Sequence, residues 1–300
     1  MEWHRVLFDN TIFSLEISKI AYGSGHNRTE YLLDGKNVNY LETEWQVPKF
    51  ETHEIQERLS DYCVCVFIIN EGEKFLAQLK RMAAPCKGID IVIADGGSTD
   101  GSTEINVMRE LGVNTLLVKT GEGKLGSQMR MAFAWALRRG YTGVVVIDGN
   151  NKDSVEDIPR FVDMLGQGFD HVQGSRFIPG GHHENTPVSR LLGLKLLHAP
   201  LMRYAAGFAY TDTTNGYRAY SESLLRDPRI AIFRDVFTGY ELHYYLAIKA
   251  ARLGYKCIEI PVTRKYPKTG KTPTKISPVR GNLTVIAKLL DAVRGKYDPE

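Results

Sequence analysis

From about residue 61 onward, short apolar segments alternate with amphipathic segments of helical length. The segments "YCVCVFII", "IDIVIAD", "VNTLLVK" and "GVVVID" are apolar almost without interruption, whereas a strand with one face in solvent alternates apolar and polar residues. Each is followed by a stretch such as "GEKFLAQLKRMAAP" or "SVEDIPRFVDMLGQG", which has the length and pattern of a helix. This alternation predicts an α/β fold with a mostly parallel sheet flanked by helices.

The first sixty residues have a different pattern. "TIFSLEISKI" roughly alternates apolar and polar residues, and "EYLLDGKNVNYL" places an Asp-Gly turn between two strand-like segments. We therefore expect a β-rich appendage over residues 1–60 and a main domain over residues 61–277. "THEIQERL" predicts a short helix with Thr52 as its N-cap, leading into the main domain.

Residues 278–300 are predicted to form an amphipathic basic helix. Apolar residues recur at helical spacing, namely Leu283, Ile286, Leu290 and Val293. Nine basic residues stand against one acidic residue between Arg264 and Lys296. Two interpretations stay open, a helix packed on the domain and a helix that lies in the plane of a membrane surface.

Composition excludes several classes of protein. The formal net charge of +3 is too small to indicate a nucleic-acid partner. The apolar runs are too short to cross a bilayer, and residues 1–10 lack the basic start and apolar core of a secretory signal. The four cysteines lack paired metal-binding spacing and are expected to act as small apolar side chains. We expect a cytoplasmic protein, soluble or peripheral on the cytoplasmic face of a membrane.

Polar turns follow three of the predicted strands. They are residues 70–71, 95–100 and 148–153. Each alone indicates only a turn, since Asp, Gly, Asn and Ser are ordinary turn residues. Because ligands bind beyond the carboxyl ends of parallel strands, the three turns together predict a site where a divalent cation assists in binding a diphosphate.

Eight blocks in order carry a family resemblance. They are Asn70-Glu71, "ADGGSTDGS", "GKLGSQMRMAFAWA", "VVIDGNNKD", "VQGSRF", "GGHHENTPVSR", "DTTNGYRAYS" and "ELHYYLAIKAARLGYKCIEIPV". Over residues 61–277 the chain resembles family 2 glycosyltransferases of the GT-A fold. Within that family it is most similar to the dolichyl-phosphate mannose synthase and polyprenyl-phosphate glycosyltransferase branch.

The resemblance implies a nucleotide-sugar donor, a GDP- or UDP-sugar. The predicted donor-binding residues are Asn70, Glu71, Asp95, Ser98, Lys124, Asp148 and Lys152. Asp148 matches the first position of the family's Asp-x-Asp metal motif and Asn150 the third, and with Asp153 they form the predicted Mg²⁺ or Mn²⁺ site. Lys152 is an alternative cation for the diphosphate. Gly96 stands where the family pattern has Asp, which leaves the base of the nucleotide open.

The resemblance also implies a lipid-phosphate acceptor at a membrane face. Arg176, Arg190 and Arg264 are predicted to bind the acceptor phosphate, because guanidinium groups hold phosphate oxygens bidentately. The predicted catalytic residues are Asp148, Arg176, Arg190 and Arg218. Such an acceptor is already anionic and needs no strong base, and its direct attack would invert the anomeric centre.

Two other functions remain open. A hydroxyl acceptor would require a general base, for which Asp153 and Asp212 are the candidates. A non-catalytic scaffold that binds sugar nucleotides would explain why Gly96 and Asn150 depart from the family pattern. The appendage over residues 1–60 is expected to serve self-association into a homo-oligomer, acceptor binding or partner docking.

Overall fold

A computed structural model describes the backbone of residues 2–8, 11–22, 26–33, 36–37, 42–267 and 280–299. Side chains are described for residues 42, 44–188, 191–267, 284 and 286–299. The chain divides into two compact units, Met1–Trp45 and Gln46–Glu300. The predicted boundary at residue 60 is therefore wrong, because residues 46–60 belong to the second unit.

The first unit contains four antiparallel strands in sequential order. Their bounds are β1 (Glu2–Phe8), β2 (Thr11–Tyr22), β3 (His26–Leu33) and β4 (Lys36–Asn37). Each strand thus pairs with the next strand in the sequence. A short 3₁₀ helix, Glu42–Glu44, precedes the boundary.

An eight-stranded sheet forms the centre of the second unit. Its strands are β5 (Phe50–Glu54), β6 (Tyr62–Ile68), β7 (Asp90–Asp95), β8 (Thr115–Lys119), β9 (Gly143–Asp148), β10 (His171–Ser175), β12 (Arg218–Ser221) and β13 (Cys257–Pro261). The order across the sheet is β13-β10-β12-β9-β6-β7-β8-β5. Strands β5 and β12 run antiparallel to their neighbours, and the other pairs are parallel. A separate parallel pair joins β11 (His182–Glu184) to β14 (Thr263–Lys265). The predicted mostly parallel sheet is confirmed.

The predicted helix at "THEIQERL" is wrong. Phe50–Glu54 form the edge strand β5, which pairs antiparallel with Thr115–Lys119. Four of its five side chains are exposed, so the segment has no apolar helical face to bury. Hydrogen bonding to the open edge of β8 therefore decides the local structure.

Helices lie between most of the strands in sequence. Their bounds are α1 (Glu73–Met82), α2 (Ile105–Glu110), α3 (Leu125–Arg138), α4 (Ile158–Gly166), α5 (Val188–Gly193), α6 (Ala199–Ala206), α7 (Glu222–Arg226), α8 (Glu241–Arg252) and α9 (Arg280–Val293). A π-helical turn, Leu194–His198, joins α5 to α6. Val64, Val66 and Ile68 of β6 pack in one core cluster with side chains of α1 and α4. Helix α3 also contacts β6, whose Cys63 and Cys65 are completely buried, so both faces of the central strands are covered.

Helix α9 and the residues after it pack on α8. Leu289 is completely buried and Ala292 nearly so. Tyr297 lies against the ring of Phe237 with ring centres 5.6 Å apart, and Lys249 Nζ lies 2.8 Å from Asp298 Oδ2. These contacts favour the interpretation of a helix packed on the domain. No helix within the described residues is both long and apolar enough to cross a membrane.

Replacing Leu289 by Ala should lower the free energy of unfolding by about 2–4 kcal/mol, because it leaves a cavity in a packed interface. Urea denaturation followed by circular dichroism measures the change. Arg294→Ala, at an exposed position just beyond α9, is the matched control and should change stability by no more than about 0.5 kcal/mol. Equal stability of the two variants would show that α9 does not pack as described.

Candidate active site

Asp95 organises the turn that follows β7. Its buried carboxylate accepts hydrogen bonds from the backbone N–H groups of Gly97 and Ser98, and Ser98 Oγ donates to Asp95 Oδ1 at 2.6 Å. Gly97 has φ +95°, a conformation that favours glycine. Asp95 and Ser98 therefore shape the turn, and their contact with a nucleotide stays a prediction.

Asn70 joins this turn to the one that follows β6. Its backbone N–H donates to Ser98 Oγ at 2.9 Å, and its Oδ1 accepts from Thr99 N at 2.8 Å. Asn70 has φ +50°, in the left-handed region that Asn tolerates better than most residues. Glu71 follows in the same turn, so the first two predicted polar turns form one hydrogen-bonded surface.

Gln128 of α3 explains the glycine at position 96, and sequence reasoning missed it. Its side-chain Nε2 donates to the carbonyls of Ile68 and Ala94, at 2.8 and 3.0 Å. A Cβ on Gly96 would lie 3.0 Å from that nitrogen. The Gln128 amide, which links β6 and β7, thus occupies the space that a larger side chain at position 96 would need.

Lys124 directly precedes α3 and is exposed. Its backbone N–H donates to the carbonyl of Thr238 at 2.8 Å. The next turn packs tightly, since a Cβ on Gly126 would lie 2.8 Å from the carbonyl oxygens of Phe237 and Gly239. The backbone at Lys124 is therefore fixed, while a phosphate contact of its side chain stays a prediction.

Asp148 ends β9 at the same sheet edge. Its Oδ2 accepts hydrogen bonds from Arg264 Nη2 at 3.1 Å and from Asn150 Nδ2 at 3.2 Å. A Cβ on Gly149 would lie 2.3 Å from Ile68 Cγ2, so only glycine fits there. Gly216 approaches from the other side, where a Cβ would lie 3.3 Å from Asp148 Oδ1. The two hydrogen bonds and the close approach of Gly216 therefore position the carboxylate.

Gln78 of α1 holds the Asp148 turn from behind, and sequence reasoning missed this residue too. Its completely buried side chain donates from Nε2 to the Asp148 carbonyl at 2.9 Å. Its Oε1 accepts from the backbone N–H of Asn151, at φ +56°, over 2.7 Å. A single amide thus satisfies two backbone groups of the turn.

Replacing Gln78 by Leu should lower the free energy of unfolding by about 2–4 kcal/mol, because both backbone groups lose their partner. Gln78→Glu keeps an acceptor for Asn151 and should lose less. Lys80→Leu, on the exposed side of α1, is the control for adding a leucine to this helix. Urea denaturation compares the three variants, and equal stability of Gln78→Leu and Lys80→Leu would contradict this role of Gln78.

Arg264 bridges Asp148 and Asp153. Its Nη1 donates to Asp153 Oδ2 while its Nη2 donates to Asp148. The guanidinium is 9% exposed and the Asp153 carboxylate fully buried. Backbone pairing adds to the link, since Lys265 N donates to the carbonyl of Lys152 at 2.8 Å. The turn after β9 is therefore tied to β14 by charge and by backbone.

The bridge shifts the titration of its members. Burial tends to raise the pKa of Asp148, but the Arg264 guanidinium reverses this and holds the pKa below its usual value. Burial raises the pKa of Asp153, with Arg264 opposing. The two carboxylates hold the pKa of Arg264 well above its usual value despite its burial. Burial and the charge of Arg264 lower the pKa of Lys152, which lies 5.3 Å from the centre of the Tyr266 ring.

Arg176 forms a second buried ion pair. Its Nε and Nη2 donate to the two carboxylate oxygens of Asp212, at 2.6 and 2.9 Å, and both side chains are almost fully buried. Nη2 also donates to Thr214 Oγ1 at 3.1 Å. Glu259 fixes the same loop by accepting from the backbone N–H groups of Thr211 and Asp212. Arg176 is thus held against the loop that precedes β12.

Arg218 lies in the core rather than at the site surface, which corrects the prediction of a catalytic contact. It is 1% exposed and donates to the backbone carbonyls of Thr213, Asn215 and His243. Burial and the nearby Arg218 charge lower the pKa of His243 to about 3, so this imidazole is neutral at physiological pH. Arg218 therefore braces the loop that carries Asp212.

Arg190 belongs to helix α5 by its backbone. Its side chain lies outside the described residues. Its predicted contact with an acceptor phosphate stays a prediction.

The residues around Asp148 fit a cation in part. Asn150 Oδ1 is buried and has no hydrogen-bond partner among the residues that the structure describes, so it is an oxygen suited to a hard cation next to the Asp148 carboxylate. The Asp153 carboxylate is fully buried and paired with Arg264. This pairing makes Asp153 a poor candidate for the third predicted metal ligand. No cluster of three His, Cys, Asp or Glu residues suited to a metal occurs within the described residues. Of the three predicted metal ligands, Asp148 and Asn150 therefore fit a divalent cation. A bound diphosphate would have to supply further ligands.

Sequence comparison with curated proteins identifies the family of this chain. A polyprenol monophosphomannose synthase of Mycolicibacterium smegmatis is 29% identical over 234 residues, covering 76% of this chain and 86% of that protein. An undecaprenyl-phosphate mannosyltransferase of Micrococcus luteus is 32% identical over 199 residues, covering 65% of this chain and 79% of that protein. This chain belongs to the family 2 glycosyltransferases. No protein-family model matches the chain.

Solved structures agree on the fold of this glycosyltransferase. A glucosyl-3-phosphoglycerate synthase of Mycobacterium tuberculosis, in complex with Mn²⁺, UDP and glucosyl-3-phosphoglycerate, aligns with a TM-score of 0.56. The alignment covers 80% of this chain and 81% of that chain at 19% identity. The glycosyltransferase thus has the GT-A fold that its sequence predicts.

Proposed function

We propose that this glycosyltransferase moves a sugar from a GDP- or UDP-sugar to a polyprenyl phosphate, with inversion, at the cytoplasmic face of a membrane. An oxygen of the acceptor phosphate forms a bond to the anomeric carbon. The bond from that carbon to the donor diphosphate breaks, and its electron pair leaves with the nucleoside diphosphate. The names of the two mannosyltransferase relatives support this choice of acceptor.

The pairing of the acidic residues carries the proposal. Asp153 and Asp212 were the candidate bases for a hydroxyl acceptor, yet each is buried and paired with an arginine. A general base must reach the proton that it removes and must be free to accept it. A phosphate monoester is largely ionised at neutral pH and needs no such base. The site therefore suits an anionic acceptor better than a hydroxyl group.

Positively charged side chains at the same edge of the sheet would offset the main obstacle to this reaction, which is repulsion between two anions. The acceptor phosphate and the donor diphosphate repel each other, and fixed positive charge in a partly dry site offsets that repulsion strongly. Arg264 donates a hydrogen bond to Asp148, and Lys152 lies close enough to both for their charges to act on its pKa. We assign Asp148 and Lys152 to the diphosphate side and Arg176, Arg190 and Arg264 to the acceptor side.

Asp148 and Asn150 would hold a Mg²⁺ or Mn²⁺ ion, which would neutralise charge on the departing diphosphate. The Mn²⁺ and UDP complex of the glucosyl-3-phosphoglycerate synthase supports this proposal. Asn150 supplies a neutral oxygen where a carboxylate would bind the ion more strongly. We therefore expect the metal to bind weakly before the donor is present.

Incubation with nucleotide sugars and a short-chain polyprenyl phosphate should give a glycosylated lipid phosphate of inverted anomeric configuration. Asp148→Asn should lower kcat/KM by about 10²-fold or more, because charge stabilisation at the leaving group is lost. Asp163→Asn, on the exposed face of α4, makes the same chemical change away from the site and should keep full activity. Mass spectrometry and NMR of the product provide the measurement.

The matching polyprenol without phosphate separates the alternatives. Transfer to the alcohol at a similar rate would reject the lipid-phosphate acceptor. No turnover and no thermal shift with UDP, GDP, dTDP or CDP would favour a non-catalytic scaffold instead.

Replacing Asn150 by Asp should strengthen Mn²⁺ binding by about tenfold, because a second carboxylate joins Asp148. Calorimetric titration of the protein with Mn²⁺, with and without UDP or GDP, measures this independently of turnover. Activity of the unchanged protein should fall in excess EDTA and return with Mn²⁺. Full activity in EDTA, or identical Mn²⁺ binding by both proteins, would reject the metal site.

A further inference from the structure

Large apolar side chains are exposed along one side of the segment from α5 to α6. Val188 is 71% exposed, Leu192 52%, Leu196 74% and Tyr204 83%. With Leu197, which is 40% exposed, these residues are here named the apolar stripe. Single exposed apolar residues are common, whereas several large ones exposed within residues 188–204 indicate an interaction site.

The opposite side of the same segment is also apolar. Leu194, Met202 and Ala205 are buried, and α6 packs against α8. A surface helix normally turns a polar side to solvent once its apolar side is packed. The apolar stripe is therefore additional to the face that stabilises the fold.

The charged side chains of the segment that carries the apolar stripe have one sign. Residues 185–211 include no Asp or Glu but contain Arg190, Lys195 and Arg203. Lys195 and Arg203 are exposed. Basic residues beside apolar ones are typical of segments that lie in the interface of an anionic bilayer.

The segment that carries the apolar stripe reaches the active site through Lys195. Lys195 Nζ lies 5.5 Å from the centre of the Phe177 ring, and the guanidinium carbon of Arg176 lies 5.1 Å from the same centre. One aromatic side chain thus separates the segment from an arginine assigned to the acceptor phosphate. A surface that contacts lipid here would bring a membrane-embedded acceptor to that arginine.

We propose that the apolar stripe docks on an anionic lipid bilayer and seats the active site at the membrane surface. The partner is the bilayer itself, recognised by apolar insertion and by basic residues beside the apolar ones. The purpose of the contact rests on the proposed function, whereas the contact can be measured without turnover. It also moves the expected membrane contact from α9, whose Leu289 is buried in the domain, to the α5–α6 segment.

The test is flotation of the full chain with vesicles of phosphatidylcholine and phosphatidylglycerol that contain no polyprenyl phosphate. The double variant Leu196→Glu with Tyr204→Glu should lower vesicle partition by about tenfold or more, because it places carboxylates in the interface. Leu59→Glu is the matched control, since Leu59 is 73% exposed outside the segment, and it should float like the unchanged protein. Pure phosphatidylcholine vesicles should bind the unchanged protein more weakly.

Circular dichroism and thermal unfolding establish that each variant is folded, and an uncharged Leu196→Ser variant should show a smaller loss of partition. Absence of vesicle binding by the unchanged protein, or equal loss in Leu59→Glu, would overturn the proposal. So would a dimer of the unchanged protein that the double variant converts to a monomer, since a second copy would then cover the stripe. Stripe-dependent flotation without any transfer to polyprenyl phosphate would reject the proposed function and leave this inference standing.

Discussion

The bridge of Arg264 between Asp148 and Asp153 is the interaction on which the site depends. Two carboxylates and one guanidinium are removed from most solvent contact, and such charges are tolerated only when they are paired with good geometry. The bridge ties the end of β9 to β14, which lies far away in sequence. It thereby fixes the position of Asp148 and brings a permanent positive charge to the edge of the sheet.

A second pair repeats this arrangement at the loop before β12. Nε and Nη2 of Arg176 donate to the two carboxylate oxygens of Asp212, and Arg218 supports the same loop by donating to the backbone carbonyl of Thr213. Acidic groups that a hydroxyl acceptor would need are thus used to position arginines. The positioned arginines can stabilise the negative charge of phosphate groups, which agrees with a phosphate acceptor. Lys195, from the segment that carries the apolar stripe, lies over the same Phe177 ring as Arg176, so the proposed docking surface is linked to this part of the site.

The family resemblance and the alternation of apolar segments predicted a mostly parallel sheet, the alternation of its strands with helices along the chain, and three polar turns at one edge of the sheet. These features follow from local periodicity and from the rule that parallel strands place their carboxyl ends together. Errors arose where tertiary contacts decide. β5 forms because β8 offers an open edge, and Arg218 turns inward because backbone carbonyls surround it. Gln78 and Gln128 were missed, since a polar residue on a helix carries no signal of the distant carbonyl that it will bind.

The sequence by itself determined the fold class, the family and the residue types available at the sheet edge. Only the tertiary structure decided which charges pair, because Asp153 and Arg264 meet through strand packing rather than through proximity in sequence. It also decided which apolar residues are buried. Leu194 and Leu196 are two residues apart in one segment, yet the first is buried at 3% exposure and the second is exposed at 74%. Helical rotation and the position of α8 make that difference, and neither can be read from the apolar character of the two side chains.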